Sequence, residues 1–221
     1  MRGKPLFIVF EGIDGSGKTS QIELLARHIR AKDKYQDVLL TREPTWRSTE
    51  LQEKLCVEGD AFSDGARMAY LFVEDRKIHT HNQIIPALEQ KSFVLCDRYA
   101  MSTCAYQSAQ GVPIDTLLAY HTTANIRTPD ITFYVSVPRE VAEQRMIKRG
   151  APRERFEKNT NFTDLLIAQY NWLAVQSFSD ERVKNVIGPV VQIDGTQSIE
   201  DVELDVIEAF EAFKTQYSFS L

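Results

Sequence analysis

Gly12-Ile-Asp-Gly-Ser-Gly-Lys18-Thr19 has the residue types and spacing of a phosphate cradle. Its glycines let successive backbone N–H groups turn inward as an anion nest at the positive end of a following helix. Lys18 would reach the outer phosphates of a bound polyphosphate, and the Thr19 hydroxyl would ligate Mg2+. Gly12, Asp14, Gly15, Ser16, Gly17 and Ser20 complete the loop and the first helical turn as binding candidates. A second chemical cluster, Asp97-Arg98-Tyr99, follows an apolar run. Asp97 is a candidate Mg2+ partner. Arg98 is a candidate clamp for a second phosphate, because a guanidinium matches the planar spread of phosphate oxygens.

These groups need elements that bring them to one edge. Leu6-Phe-Ile-Val-Phe10 is apolar without alternation, as in a strand covered on both faces of a parallel sheet. The glycine loop follows it, and Ile22, Leu24, Leu25, Ala26 and Ile29 then recur at helical spacing. Further strands are expected at Val38–Thr41, Phe93–Cys96, Ile131–Val137 and Val190–Ile193. Helices are expected at about Thr49–Val57, Asp64–Gln90 with a break or bend at Pro86, Arg139–Lys148 and Ile199–Phe213. This alternation predicts a doubly wound α/β fold with a parallel sheet, in which the glycine loop and Asp97-Arg98 share the carboxyl edge.

The 221 residues fit one large domain, and no repeat, linker or low-complexity tract divides them. A net charge of -5 gives no global reason to coat nucleic acid or an anionic membrane, so any anion site must be local. Three cysteines, Cys56, Cys96 and Cys104, lack metal-type spacing and read as free thiols of a reducing compartment. The apolar run at Leu6–Phe10 is too short for a signal-peptide core, and no stretch is apolar enough to span a membrane, so a cytoplasmic location is expected. One composition shift stands out. Arg139 to Lys158 holds seven basic residues against four acidic ones.

Phe10-Glu-Gly-Ile-Asp-Gly-Ser-Gly-Lys-Thr19, Thr41-Arg-Glu-Pro44, Leu71-Phe72 with Arg76, Asp97-Arg-Tyr-Ala-Met-Ser102, Ala105-Tyr-Gln107 and Pro129-Asp130 occur in the order that resembles the thymidylate kinase family. The resemblance spans nearly the whole chain. It implies a single P-loop kinase domain over residues 1–221 with a small helical lid at about 149–160, a homodimer, and transfer of the ATP γ-phosphate to dTMP, a step toward dTTP. By the same resemblance Phe72 stacks on thymine, Arg76 hydrogen-bonds a base carbonyl, and Asp14 meets the 3′-hydroxyl region of the acceptor. Arg98 holds the acceptor monophosphate, Ser102, Tyr106 and Gln107 contact base or sugar, and Arg145 packs on the ATP adenine.

Gly15 stands where some family members carry a catalytic Arg in the phosphate loop, and members lacking it supply one from the lid. Arg149, Arg153 and Arg155 are then the candidates, with Arg153 and Arg155 foremost. Three departures from the family pattern bear on base choice more than on reaction type. Arg42-Glu-Pro-Thr-Trp-Arg-Ser-Thr49 replaces a glycine-rich form, and the acceptor-phosphate Arg falls on Arg47 only with a one-residue offset. Glu154-Arg155 stands for the usual Asp-Arg of the lid, and Ile167 for an Arg in the next helix. The competing readings are another deoxynucleotide or deoxynucleoside kinase and, in a different class, a slow nucleotide-hydrolysing switch without an acceptor site.

Overall fold

The computed structural model describes residues 4–45, 49–56, 64–150 and 160–219. Five parallel strands form its one sheet in the order β2-β3-β1-β4-β5: β1 (Phe7–Glu11), β2 (Val38–Arg42), β3 (Phe93–Asp97), β4 (Ile131–Ser136) and β5 (Val190–Asp194). Each predicted strand is present, within one residue at either end. β1 is central and wholly buried, as its unbroken apolar run demands. β2 is an edge strand with partly exposed residues.

Side-chain alternation along β1 separates two cores. Leu6, Ile8 and Phe10 pack with Ile22, Leu25 and Ile29 of α1 (Lys18–Lys32) and with Val202, Val206 and Phe210 of α10 (Ile199–Phe219). Phe7 and Val9 face the opposite layer, built from α3 (Gly65–His79), α5 (Ala100–Ala109), α6 (Ile114–Thr123), α8 (Thr160–Ser179) and α9 (Glu181–Ile187). Among the described residues the remaining helices are α2 (Thr49–Cys56), α4 (Ile85–Glu89) and α7 (Arg139–Lys148). No described helix is long and apolar enough to cross a membrane.

The helix expected over 64–90 is divided. A π turn at Thr80–Ile84 separates α3 from α4, and the Ile85 N–H bonds back five residues to the Thr80 carbonyl. Pro86 has no N–H to continue an α-helical ladder, so the register adjusts in the turn before it. Pro129-Asp130, part of the family-like pattern, has a structural place: the Asp130 carboxylate accepts from the Phe7 N–H at 2.7 Å and so holds the start of β1.

Parallel pairing of β1 with β3 sets Phe10 opposite Asp97. Helix α1 leaves β1 on one face of the sheet and α5 leaves β3 on the other. Their divergence opens a crevice at the carboxyl ends of β1 and β3, the place where open α/β sheets bind ligands.

Candidate active site

The loop after β1 delivers Lys18 as the first residue of α1, preceded by Gly17 at φ +104, a left-handed conformation that favours glycine. Lys18 Nζ donates to the Ile13 carbonyl at 2.9 Å and stands 3.9 Å from Asp14 Oδ1. Burial and then the Arg98 charge pull its ammonium pKa down, with Asp14 and Asp97 opposing. Thr19 donates its hydroxyl to Asp97 Oδ2 at 2.9 Å. Asp97 Oδ1 and Ser16 Oγ are buried without a hydrogen-bond partner among the described residues. Ser20 lies half-buried in the first turn of α1.

Arg98 sits directly after β3 with φ +69, its N–H donating to the Phe10 carbonyl at 2.9 Å. Its guanidinium reaches Asp14 Oδ1 at 2.5 Å, Ser102 Oγ at 3.3 Å and the Tyr170 hydroxyl at 3.4 Å. The same Asp14 oxygen therefore lies between two cations, Lys18 and Arg98. The Tyr106 ring centroid is 5.4 Å from Arg98 Cζ.

Beneath Arg98 lies Glu11, a buried carboxylate at the end of β1. Its Oε1 accepts from the Tyr99 and Ser102 N–H groups at 2.8 and 3.1 Å. Its Oε2 accepts from the hydroxyls of Ser102 at 2.6 Å and Tyr170 at 3.2 Å. Burial pushes the carboxyl pKa up, against the Ser102 hydrogen bond and the Arg98 charge. Sequence reasoning gave no role to Glu11 or Tyr170; the one signal was a charged residue closing an otherwise apolar strand.

Arg76 belongs to a second buried group. Its Nε donates to Glu43 Oε2 at 2.7 Å, Nη1 meets His121 Nε2 at 2.7 Å, and Nη2 donates to the Tyr99 carbonyl and Thr103 Oγ1 at 2.9 and 3.0 Å. Glu43 Oε1 also pairs with His79 Nδ1 at 2.9 Å, and His79 Nε2 meets Thr41 Oγ1 at 2.8 Å. Thus Arg42-Glu-Pro44, α3, α5 and α6 meet on one guanidinium. Phe72, one turn before Arg76, is half-buried beside Leu51, Met68 and Leu71. Gln107 is fully buried, yet neither Oε1 nor Nε2 has a partner among the described residues.

The structure therefore gathers Asp14, Lys18, Thr19, Asp97, Arg98, Ser102 and Tyr106 at the β1–β3 crevice, with Arg76 joined to them through the Tyr99 backbone. Arg145 donates to the Ser16 carbonyl at 3.2 Å, which ties α7 to the loop. Arg149 is exposed just beyond the end of α7, and Ile167 packs half-buried against the core. Arg47, Arg153 and Arg155 lie outside the described residues.

A family model described as thymidylate kinase matches residues 10–205. The chain belongs to the thymidylate kinase family. A probable thymidylate kinase of Pyrococcus horikoshii is 34% identical over 212 residues, covering 94% of this chain and 95% of the relative. A thymidylate kinase of a Bradyrhizobium species is 43% identical over 162 residues, 70% of each chain. The crystal structure of thymidylate kinase from Ehrlichia chaffeensis superposes with a TM-score of 0.72 at 27% identity, covering 93% of this chain and 98% of that one. Membership makes the chain a kinase that converts dTMP to dTDP.

His121, buried against Arg76, makes the stability of this thymidylate kinase depend on pH. Burial, then the Arg76 charge, lowers the His121 pKa from 6.5 to about 3. The folded protein therefore keeps His121 neutral where the unfolded chain takes up a proton. Stability should fall as pH drops from about 6.5 and the loss should level off near the folded value of about 3. Denaturant unfolding from pH 7 to 4 should show a shallower decline for His121→Gln than for the wild type; parallel declines would contradict the assignment.

Proposed function

We propose that the two cations flanking Asp14 divide the phosphates of the reaction between them: Lys18 and the glycine loop take the ATP polyphosphate, and Arg98 takes the dTMP monophosphate. The observation that carries this reading is Asp14 Oδ1, 2.5 Å from Arg98 and 3.9 Å from Lys18, an internal anion lying between two side chains suited to phosphate. Incoming phosphates would compete for both cations and leave Asp14 available to the acceptor sugar. Asp97 and Thr19 suit Mg2+: both offer hard oxygen donors, and Asp97 Oδ1 is buried with no partner among the described residues. Bound there, Mg2+ would neutralise developing charge on the phosphoryl oxygens.

The remaining acceptor contacts follow the same plan. The half-buried Phe72 offers a stacking face, and Arg76 supplies a donor for a base carbonyl. Gln107, buried with both amide atoms unmatched among the described residues, suits a polar base edge that would complete its hydrogen bonds. Ser102 and Tyr106 border Arg98 and suit sugar or base contact. Because the acceptor monophosphate is largely ionised near pH 7, positioning and charge neutralisation supply most of the catalysis.

Arg47, by its one-residue offset, is assigned to the acceptor phosphate, and Arg145 to the adenine. The family resemblance assigns to about 149–160, of which 151–159 lie outside the described residues, the part of a lid over the transferring group. The geometry at Gly15 supports a lid arginine: an ideal Cβ there would stand 2.5 Å from the Ala142 carbonyl oxygen, so α7 occupies the space a side chain would need. A homodimer follows the family resemblance, and three cysteines outside any disulfide suit a reducing cytoplasm.

A coupled ADP-release assay across the common nucleoside monophosphates and thymidine tests the whole reading. The expected result is ATP turnover fastest with dTMP; faster turnover with thymidine, or hydrolysis indifferent to every acceptor, would overturn it. In the same assay Phe72→Ala should raise the KM for dTMP about tenfold or more and leave the KM for ATP near wild type, since base stacking contributes about 1–3 kcal/mol. Equal changes for both substrates would mean that Phe72 serves only the core. Among single Arg→Ala variants at Arg149, Arg153 and Arg155, at least one should lose about 10³-fold in kcat with both substrates saturating. Near-normal kcat in all three would leave the transition-state charge to Lys18, Arg98 and Mg2+.

A further inference from the structure

An arginine carries five N–H donors in a rigid plane. Four of those on Arg76 are engaged, by Glu43, His121, the Tyr99 carbonyl and Thr103. One Nη1–H is left without a partner among the described residues. It sits on the same nitrogen that His121 contacts, so whatever fixes that nitrogen fixes the direction of the free N–H.

His121 is itself fixed. It lies buried on α6, and its Nδ1 is 2.7 Å from the Leu117 carbonyl oxygen. A carbonyl oxygen only accepts, so Nδ1 carries the proton and Nε2 presents a bare lone pair toward Arg76 at 2.7 Å. A protonated ring would set an N–H against a cation; burial beside Arg76 keeps the ring neutral, with its pKa lowered to about 3. The charged neighbour on the other side of the guanidinium is Glu43, whose second oxygen is taken by His79.

We infer that His121 is a positioning residue for base choice: its Nε2 lone pair orients Arg76 Nη1 so that the remaining N–H meets the 4-carbonyl of a 4-keto pyrimidine and opposes the 4-amino group of cytosine. The inference rests on the assignment of Arg76 to the base carbonyl. Thymine offers an acceptor at position 4 where cytosine offers a donor, so a fixed buried donor discriminates between them. His121 does this without touching substrate.

The test is the ratio of kcat/KM for dTMP to that for dCMP in the wild type, His121→Leu, His121→Gln and Arg76→Lys, with the melting temperature of each. His121→Leu removes the acceptor. His121→Gln can return an oxygen near the Nε2 position, and Arg76→Lys keeps the charge for Glu43 while removing the planar fork. The expected result is at least a tenfold lower dTMP preference in His121→Leu, expressed mainly as a higher KM for dTMP with the KM for ATP within twofold, and most of it restored in His121→Gln.

If Arg76→Lys loses the preference and folded His121→Leu keeps it, Arg76 reads the base unaided and the inference is overturned. If Arg76→Lys keeps the preference, the base-carbonyl assignment fails and the inference falls with it. Equal losses for both nucleotides in the Leu and Gln variants would make His121 merely structural and also overturn it. Should His121→Leu not fold, His121→Asn, too short to reach Nη1, takes its place: loss of preference in Asn with retention in Gln supports the inference, and retention in both overturns it.

Discussion

A single buried carboxylate, Glu11, joins the central strand to α5 and α8, the two helices that also contact Arg98. Leaving such a charge without partners costs several kcal/mol. Here four donors surround it, two from the backbone at the start of α5 and two hydroxyls, from α5 and α8, with the Arg98 guanidinium close by. Each of those groups also limits Arg98. Ser102 and Tyr170 both accept from its Nη1, while Tyr99 N–H is fixed one residue beyond a backbone at φ +69. The side chain assigned to the acceptor phosphate is therefore oriented by an anion it does not touch directly.

The same arrangement explains how an acidic chain can hold two phosphorylated substrates. Lys18, Arg98 and Arg76 are each paired with carboxylates, Asp14 serving the first two and Glu43 the third. These pairs keep buried cations compensated before any nucleotide arrives. Asp14 is only partly buried, unlike Glu11 and Glu43, and so is the partner best placed to give way to a phosphate. A net charge of -5 is thus no obstacle, because the proposed attraction for phosphate is local to the carboxyl edge of β1 and β3.

The five strands, the glycine loop and Asp97-Arg98 were legible in the sequence because buried parallel strands leave short uninterrupted apolar runs, and the chemistry lies in the residues next to them. Helices α5 and α6 were not read. Ala-Met-Ser-Thr-Cys-Ala-Tyr-Gln-Ser-Ala offers small and polar residues on every side, and its burial comes from α6, α8 and α3 packed around it. The partners of Glu11 and Arg76 were hidden for another reason. Tyr170 is 159 residues from Glu11 and His121 is 45 from Arg76, so only the topology brings them together. Arg76 taken alone read as a surface residue, whereas the structure buries it almost completely within a ring of acceptors.

The dependence of the proposed phosphate clamp, Arg98, on Glu11 can be measured by calorimetric titration of dTMP and of thymidine into the wild type and Glu11→Gln, each shown to unfold cooperatively. An amide cannot accept from all four donors and removes the negative charge beside Arg98, which should loosen the guanidinium and not the base site. Affinity for dTMP should fall about tenfold, the scale of one hydrogen bond to a charged group, while affinity for thymidine stays within about twofold, a change small against that loss. Equal weakening of both ligands, or unchanged affinity for dTMP, would contradict the account.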